Sequence, residues 1–152
     1  MRLADQEIAS LKKKITEFLS QKPEILFAFL FGSLARGEGT SLSDIDVAIY
    51  VDEAFLRRKD GLPGVDPRSG IISQLIGVLK SNEVDLVLLN DASPLLRHRI
   101  LTQGESLVVR APLEEQRFFI RTMKEYFDTE PVRKVQMKYL RDYLHELNPR
   151  KN

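Results

Sequence analysis

One stretch constrains this chain more than any other. Ile25 to Phe31 is an unbroken apolar run that ends at once in Gly32-Ser33. Ten residues then separate Ser33 from Asp44, and Asp46 follows two positions on. The apolar run is bounded by Pro23 and Gly32 and has a strand's length, so Glu24 to Phe31 reads as a buried strand. Gly32 to Ser43 holds three glycines, three serines and a threonine. That composition predicts a loop, with one helical turn after Ser33. From Asp44 to Val51, Ile45, Val47, Ile49 and Val51 alternate with Asp44, Asp46, Ala48 and Tyr50, the two-residue period of a strand. Side chains alternate across a strand, so Asp44 and Asp46 point the same way, with Cα atoms about 6.5–7 Å apart, and Ile45 points to the opposite face.

The remaining elements follow from periodicity and punctuation. Leu3 to Ser20 is predicted to be an amphipathic helix, with Ile8, Leu11, Ile15 and Phe18 inward and Lys12 to Lys14 mostly outward. Phe55 to Lys59 reads as a short helix and Asp60 to Gly70, rich in glycine and proline, as a mobile loop. Ile71 to Lys80 is helical, with Ile71, Ile72, Leu75, Ile76 and Leu79 inward. Val84 to Leu89 is a third strand and Ser106 to Arg110 a fourth. Pro94 opens a helix that Gly104 closes. Pro112 opens another, whose Phe119, Ile120, Met123 and Phe127 share an inward face, and Pro131 a last one, with Val132, Val135, Tyr139, Tyr143 and Leu147 inward. The pattern is α/β (α+β): a small mixed sheet carrying the acids, helices packed against it, and a helical C-terminal extension. At 152 residues the chain is one domain, with a core over about 22–110 and C-terminal helices over about 112–147.

Composition narrows the chemistry. Cysteine is absent, which excludes disulfides, thiolate zinc sites and a cysteine nucleophile. The two histidines, His98 and His145, are far apart. Lys+Arg is 23 against 22 Asp+Glu, a net charge of +1, so there is no electrostatic case for direct nucleic-acid or membrane-surface binding. No segment approaches the roughly 20 apolar residues that span a bilayer, and the N-terminus lacks a signal peptide's apolar core; the expected location is the cytoplasm.

Two carboxylates on one side of a strand converge on hard cations such as Mg2+, which take oxygen ligands and keep waters and phosphates as the others. Gly32 permits close backbone approach to a ligand. The N–H groups and the hydroxyl at Ser33 suit a phosphate oxygen, and Arg36 adds positive charge to the same phosphates. Glu38 is near enough to pair with Arg36, the plainer use of both. Asp85 is the candidate third carboxylate. It opens an otherwise apolar strand, a costly place for an acid unless it is paired, liganded or at the strand's open end.

Gly32-Ser33, ten residues, Asp44-x-Asp46, with Asp85 on a later strand, resembles the DNA polymerase β-type nucleotidyltransferase superfamily. The wording FGSLARGEGTSLSDIDVAIYV in so short a chain is similar to its minimal nucleotidyltransferases, and more narrowly to the antitoxin half of the HEPN–MNT (type VII) toxin–antitoxin module. The likeness is strong over roughly residues 24 to 92. It implies that Gly32 and Ser33 bind the nucleotide's phosphates, that Asp44 and Asp46 hold two Mg2+ ions, and that Asp85 completes the second metal site and helps deprotonate the attacking hydroxyl. The implied reaction is AMP transfer from ATP, and the implied acceptor a tyrosine of a HEPN ribonuclease toxin, silenced by it. A hetero-oligomer with that toxin is the corresponding assembly. Two other readings stay open: a free-standing transferase acting on a small hydroxylated molecule, and a non-catalytic module that neutralises a toxin by covering it.

Three further features are weighed against plainer uses. Arg57-Arg58-Lys59 and Arg97-His98-Arg99 read as solvated faces. Phe118, Phe119, Tyr126, Phe127, Tyr139 and Tyr143 recur at helical spacing, and most are expected in the core. Residues 110–152 carry 10 basic and 7 acidic side chains, a net +3, which makes this segment the candidate for partner docking.

Overall fold

A computed structural model describes residues 4–57, 66, 68–81 and 83–148. Four strands, β1 (Ile25–Phe31), β2 (Ile45–Val51), β3 (Val84–Leu88) and β4 (Glu105–Val109), form one sheet in the order β3-β2-β1-β4. β1 runs antiparallel to both β2 and β4, and β2 runs parallel to β3, so the sheet is mixed as expected. The two central strands are covered on both faces. That is why β1 is apolar at every position: neither of its faces meets water.

The two faces have separate cores. Ala28, Leu30, Ile45, Val47 and Ile49 pack on one face with Ile8, Ile15 and Leu19 of α1 (Asp5–Ser20) and Ile71 and Leu75 of α4 (Arg68–Leu79). Phe27, Phe29, Ala48 and Tyr50 pack on the other with Ile100 of α5 (Pro94–Gln103) and Phe118 of α6 (Pro112–Asp128). The rings of Phe27 and Tyr50 stack at 4.6 Å, and Phe118 lies 4.9 Å from Tyr50. The register shift between Ile25 and Phe27 explains why Ile25 joins the first core although Phe27 and Phe29 join the second.

Local chemistry sets the ends. Ala4 cannot cap α1 with its side chain, and Glu7 Oε2 instead accepts from the Ala4 N–H at 2.9 Å. Ser93 Oγ accepts from the Leu96 N–H at 3.2 Å and Pro94 takes the first position of α5, which runs over the predicted residues. The short helix expected at Phe55 to Lys59 is α3 (Glu53–Leu56), started by Asp52 Oδ1 accepting from the Ala54 N–H. Arg58 and Lys59 lie outside the described residues. So does most of the loop expected over Asp60 to Gly70, but its end is a correction. Arg68, Ser69 and Gly70 form the first turn of α4, because Asp66 accepts from the Arg68 N–H at 2.9 Å and from Ser69 Oγ at 2.6 Å.

The C-terminal helices need a larger correction. α6 turns Phe118 and Thr122 inward, and Phe119, Ile120 and Phe127 are exposed. In α7 (Glu130–Leu147) no residue is buried, so Val132, Val135, Tyr139, Tyr143 and Leu147 do not face a core in this chain. Helical spacing determines which residues share a face; the position of the sheet decides which face is covered. Of the six aromatics assigned there, only Phe118 is buried. The reading of Arg97 and His98 as surface is also overturned. Arg97 is 13% exposed and donates to the carbonyls of Leu89 (2.9 Å) and Asn90 (2.6 Å), and His98 stacks on Tyr126 at 3.7 Å. Among the described residues no helix is long and apolar enough to cross a membrane.

Candidate active site

β1 delivers Gly32 and Ser33 to the edge of the site. The chain turns there into a single helical turn, α2 (Gly32–Ala35), the turn expected after the Gly-Ser pair. Gly32 has φ +72°, a conformation other L-residues rarely adopt. A Cβ at that position would overlap Asp46 Oδ2. The glycine is therefore required twice, by its backbone conformation and by its approach to the acid.

The loop back to β2 is tied by its own hydroxyls. The Thr40 N–H donates to Ser43 Oγ at 2.9 Å, and the Ser43 N–H donates to the Thr40 carbonyl at 3.0 Å. This turn holds Asp44 just before the strand, where it is exposed, and Asp46 within it, where it is half-buried. Asp46 stands opposite Phe31 on the antiparallel side and opposite Asp85 on the parallel side. The Asp46–Asp85 pairing is the central fact of the site. It brings together two acids 39 positions apart in the sequence. Asp85 is exposed at the open end of the edge strand β3, one of the settings in which an acid opening an apolar strand is tolerated.

Electrostatics agree with this grouping. Burial pushes the Asp46 carboxyl above its ordinary value, the negative charges of Asp85 and Asp44 push it further, and Arg36 pulls it back. All three acids and Arg36 thus act on one point. Arg36 is itself exposed and donates to Glu38 at 3.1 Å, the pairing foreseen for it. Carboxylates that raise one another's proton affinity are relieved by a cation, and an all-oxygen donor set suits a hard one. Among the described residues no group of three or more His, Asp or Glu side chains is arranged to hold a metal ion, so the three acids share a neighbourhood without forming a ready-made metal site.

A family profile described as Polymerase beta, Nucleotidyltransferase matches residues 13–112. The chain belongs to this nucleotidyltransferase family. The match takes in Gly32, Ser33, all three acids and every strand, and ends at the first residue of α6. Two relatives are similar over more of the chain. The protein adenylyltransferase MntA of Aphanizomenon flos-aquae (strain 2012/KM1/D3) is 26% identical over 141 residues, 90% of this chain and 92% of its own. The protein adenylyltransferase MntA of Shewanella oneidensis (strain MR-1) is 30% identical over 116 residues, 76% of each chain. Among solved structures, a toxin–antitoxin crystal structure with AMP-PNP superposes at TM-score 0.68 and 28% identity, covering 85% of this chain and 97% of that one. A tri-AMPylated Shewanella oneidensis HEPN toxin in complex with its MNT antitoxin superposes at 0.63 and 26%, covering 88% and 98%. The nucleotidyltransferase fold is that of these antitoxins.

Sequence reasoning missed Asn90. Its side chain accepts from the Val51 N–H and donates to the Val51 carbonyl, both at 2.9 Å, and so fastens the loop after β3 to the end of β2. Only the tertiary pairing of these strands reveals it.

Proposed function

We propose that this chain, as one nucleotidyltransferase domain over residues 1–152, is a protein adenylyltransferase antitoxin. It transfers AMP from ATP to a hydroxyl of a HEPN-type ribonuclease toxin, a tyrosine, and silences the toxin. The observation that carries this reading is the register pairing of Asp46 with Asp85, with Asp44 two positions away and Gly32 against the Asp46 carboxylate. The adenylyltransferase relatives and the AMPylated toxin complex support the choice of substrate and partner.

In this reading Asp44, Asp46 and Asp85 hold Mg2+, with two ions as the expected count. Mg2+ held by these residues would neutralise negative charge that builds up on the phosphates. Ser33 donates its hydroxyl to a phosphate oxygen, and Gly32 leaves room for that phosphate beside Asp46. Arg36 offers charge to the same phosphates once it turns from Glu38. Asp85, at the open edge, meets the acceptor hydroxyl and takes its proton. The acceptor oxygen bonds to the α-phosphorus as the bond to the bridging oxygen of the β-phosphate breaks, and pyrophosphate leaves. The chain's contribution is positioning and charge, with no covalent intermediate. The reaction belongs in the cytoplasm, where ATP is supplied.

The test is incubation of the HEPN ribonuclease with labelled ATP, Mg2+ and this chain. The wild-type chain labels the toxin, and Asp44→Ala and Asp46→Ala do not, although both stay folded by circular dichroism. Undiminished labelling by either variant overturns the assignment.

A further inference from the structure

Asp44 is the one acid of the site that lies outside a strand. Asp46 belongs to β2 and Asp85 to β3, but β2 begins only at Ile45. The alternation that aims Asp46 therefore does not aim Asp44. Asp44 is exposed, so water offers its carboxylate an alternative place. Its charge also raises the proton affinity of Asp46, which means that the two acids repel when both are ionised. Repulsion and hydration both favour an Asp44 turned away from the site.

The loop before it opposes that movement. The Thr40 N–H donates to Ser43 Oγ at 2.9 Å, the Thr40 and Ser43 hydroxyls lie 3.3 Å apart, and the Leu42 N–H donates to Thr40 Oγ1 at 3.3 Å. The Ser43 N–H closes the turn on the Thr40 carbonyl at 3.0 Å. Thr40 and Ser43 are both half-buried, where water competes less for a hydroxyl. On the other side of Asp44, the Ile45 N–H donates to the Glu83 carbonyl at 2.8 Å. Asp44 thus stands between two tied residues, with no free residue on either side.

The turn is in turn fastened to α2. The Glu38 N–H donates to the Ser33 carbonyl at 2.9 Å. Gly39 is buried, and a Cβ there would overlap Leu34 Cδ2, the end of the side chain that α2 buries. The hydroxyl turn is therefore held in place relative to Ser33 before it reaches Asp44. Leu42, 84% exposed, takes no part through its side chain.

We propose that Ser43 and Thr40 are positioning residues for metal binding, whose hydroxyl turn keeps the Asp44 carboxylate beside Asp46. This rests on the adenylyltransferase reading above, in which Asp44 is a Mg2+ ligand. The two hydroxyls act through Asp44 and touch neither metal nor nucleotide. Groups that orient a metal ligand change metal affinity about ten- to a hundredfold, and a turn of neutral hydrogen bonds belongs at the lower end of that range.

The test compares Ser43→Ala, Ser43→Thr, Thr40→Val and Leu42→Ala with the wild-type chain. Mn2+, which takes the same oxygen ligands as Mg2+, is titrated into each free chain and its binding read by water proton relaxation. AMP transfer to the HEPN ribonuclease is measured in parallel over a range of Mg2+ concentrations, and folding is followed by circular dichroism. In Ser43→Ala the Mn2+ dissociation constant and the half-saturating Mg2+ concentration should both rise about tenfold, with transfer at saturating Mg2+ close to wild type. A merely structural role would lower the unfolding midpoint and leave the Mg2+ requirement unmoved. Ser43→Thr, which returns the hydroxyl, restores both values, and Leu42→Ala changes neither. Thr40→Val keeps the Thr40 N–H bond and removes only the hydroxyl; it shifts both values less, and it carries the test should Ser43→Ala misfold. Wild-type Mn2+ affinity in Ser43→Ala overturns the proposal. So does a loss that Ser43→Thr does not restore, or an equal loss in Leu42→Ala, since either assigns the effect to the loop's general stiffness. A wild-type chain that labels the toxin but binds no Mn2+ overturns the proposal alone. If the Mn2+ affinities rank as expected but the wild-type chain labels no toxin, the positioning role stands and the adenylyltransferase reading falls.

Discussion

Gly32 lies so close to Asp46 that any side chain at position 32 would occupy the space of the carboxylate's Oδ2. Gly32 directly follows β1 and Asp46 belongs to β2, where it pairs across the ladder with Phe31, the residue before the glycine. The turn that would receive phosphates and the acid that would hold metal are thus one packed unit. Loosening either moves both.

Two glycines separate backbone strain from crowding at this unit. Gly32 and Gly37 share φ +72°, but a Cβ at Gly37 meets nothing within 4 Å. Gly37→Ala should cost about 1–2 kcal/mol, the usual penalty of the left-handed conformation, and leave AMP transfer intact. Gly32→Ala should cost more and abolish transfer, because Asp46 must move. Denaturant unfolding with parallel transfer assays checks this; equal effects of the two variants would refute the crowding argument.

The raised pKa of Asp46 has a definite sign for stability. The folded chain binds this proton more tightly than the unfolded chain. The resulting stabilisation is present at low pH and is lost as pH rises through the ordinary carboxyl value and then the raised one. At pH 7 without metal, the ionised Asp46 faces Asp44 and Asp85 and weakens the fold. Asp46→Asn should therefore raise the melting temperature in EDTA at pH 7, flatten its fall as pH rises above the ordinary carboxyl value, and reduce the gain on adding Mg2+. Scanning calorimetry would show the opposite order if Asp46 were a stabilising residue.

Ser33→Ala tests the phosphate contact apart from the metal. A hydrogen bond to a charged group is worth about 1.5–3 kcal/mol, so ATP-dependent transfer should fall about tenfold to somewhat over a hundredfold. Mg2+ binding should stay, since the three acids are untouched. An unchanged dependence on ATP concentration would remove Ser33 from the site.

Arg97 makes a structural prediction. Its guanidinium, 13% exposed, donates to two carbonyls after β3, pairs with Glu125 at 3.2 Å and lies 5.1 Å from the Phe118 ring centroid. Arg97→Ala should destabilise the chain by about 2–4 kcal/mol, and Arg97→Lys should recover little, because an ammonium cannot reproduce the fork. Urea unfolding measures both, and a loss below 1 kcal/mol for the alanine variant would contradict the bridging role.

Much of this protein was legible before any coordinates. The apolar run of β1, the alternation of β2, and Pro94 with Gly104 around α5 are local signals, and local backbone chemistry obeys them. The Gly-Ser turn belongs to the same class, and α2 starts at it; the expected strand start at Asp44 is one residue early, since β2 begins at Ile45. The sequence alone therefore determined the strands and most helix boundaries. The tertiary structure decided what depends on partners distant in the chain. It set the parallel register that puts Asp85 opposite Asp46, the burial of Arg97 between α5 and α6, and the clamp of Asn90 on Val51. It also decided that α6 turns Phe118 rather than Phe119 to the sheet and that α7 turns nothing inward. Periodicity gives a helix its stripe, but whether that stripe is covered depends on where another surface stands, and for α7 that surface is not within the described residues of this chain.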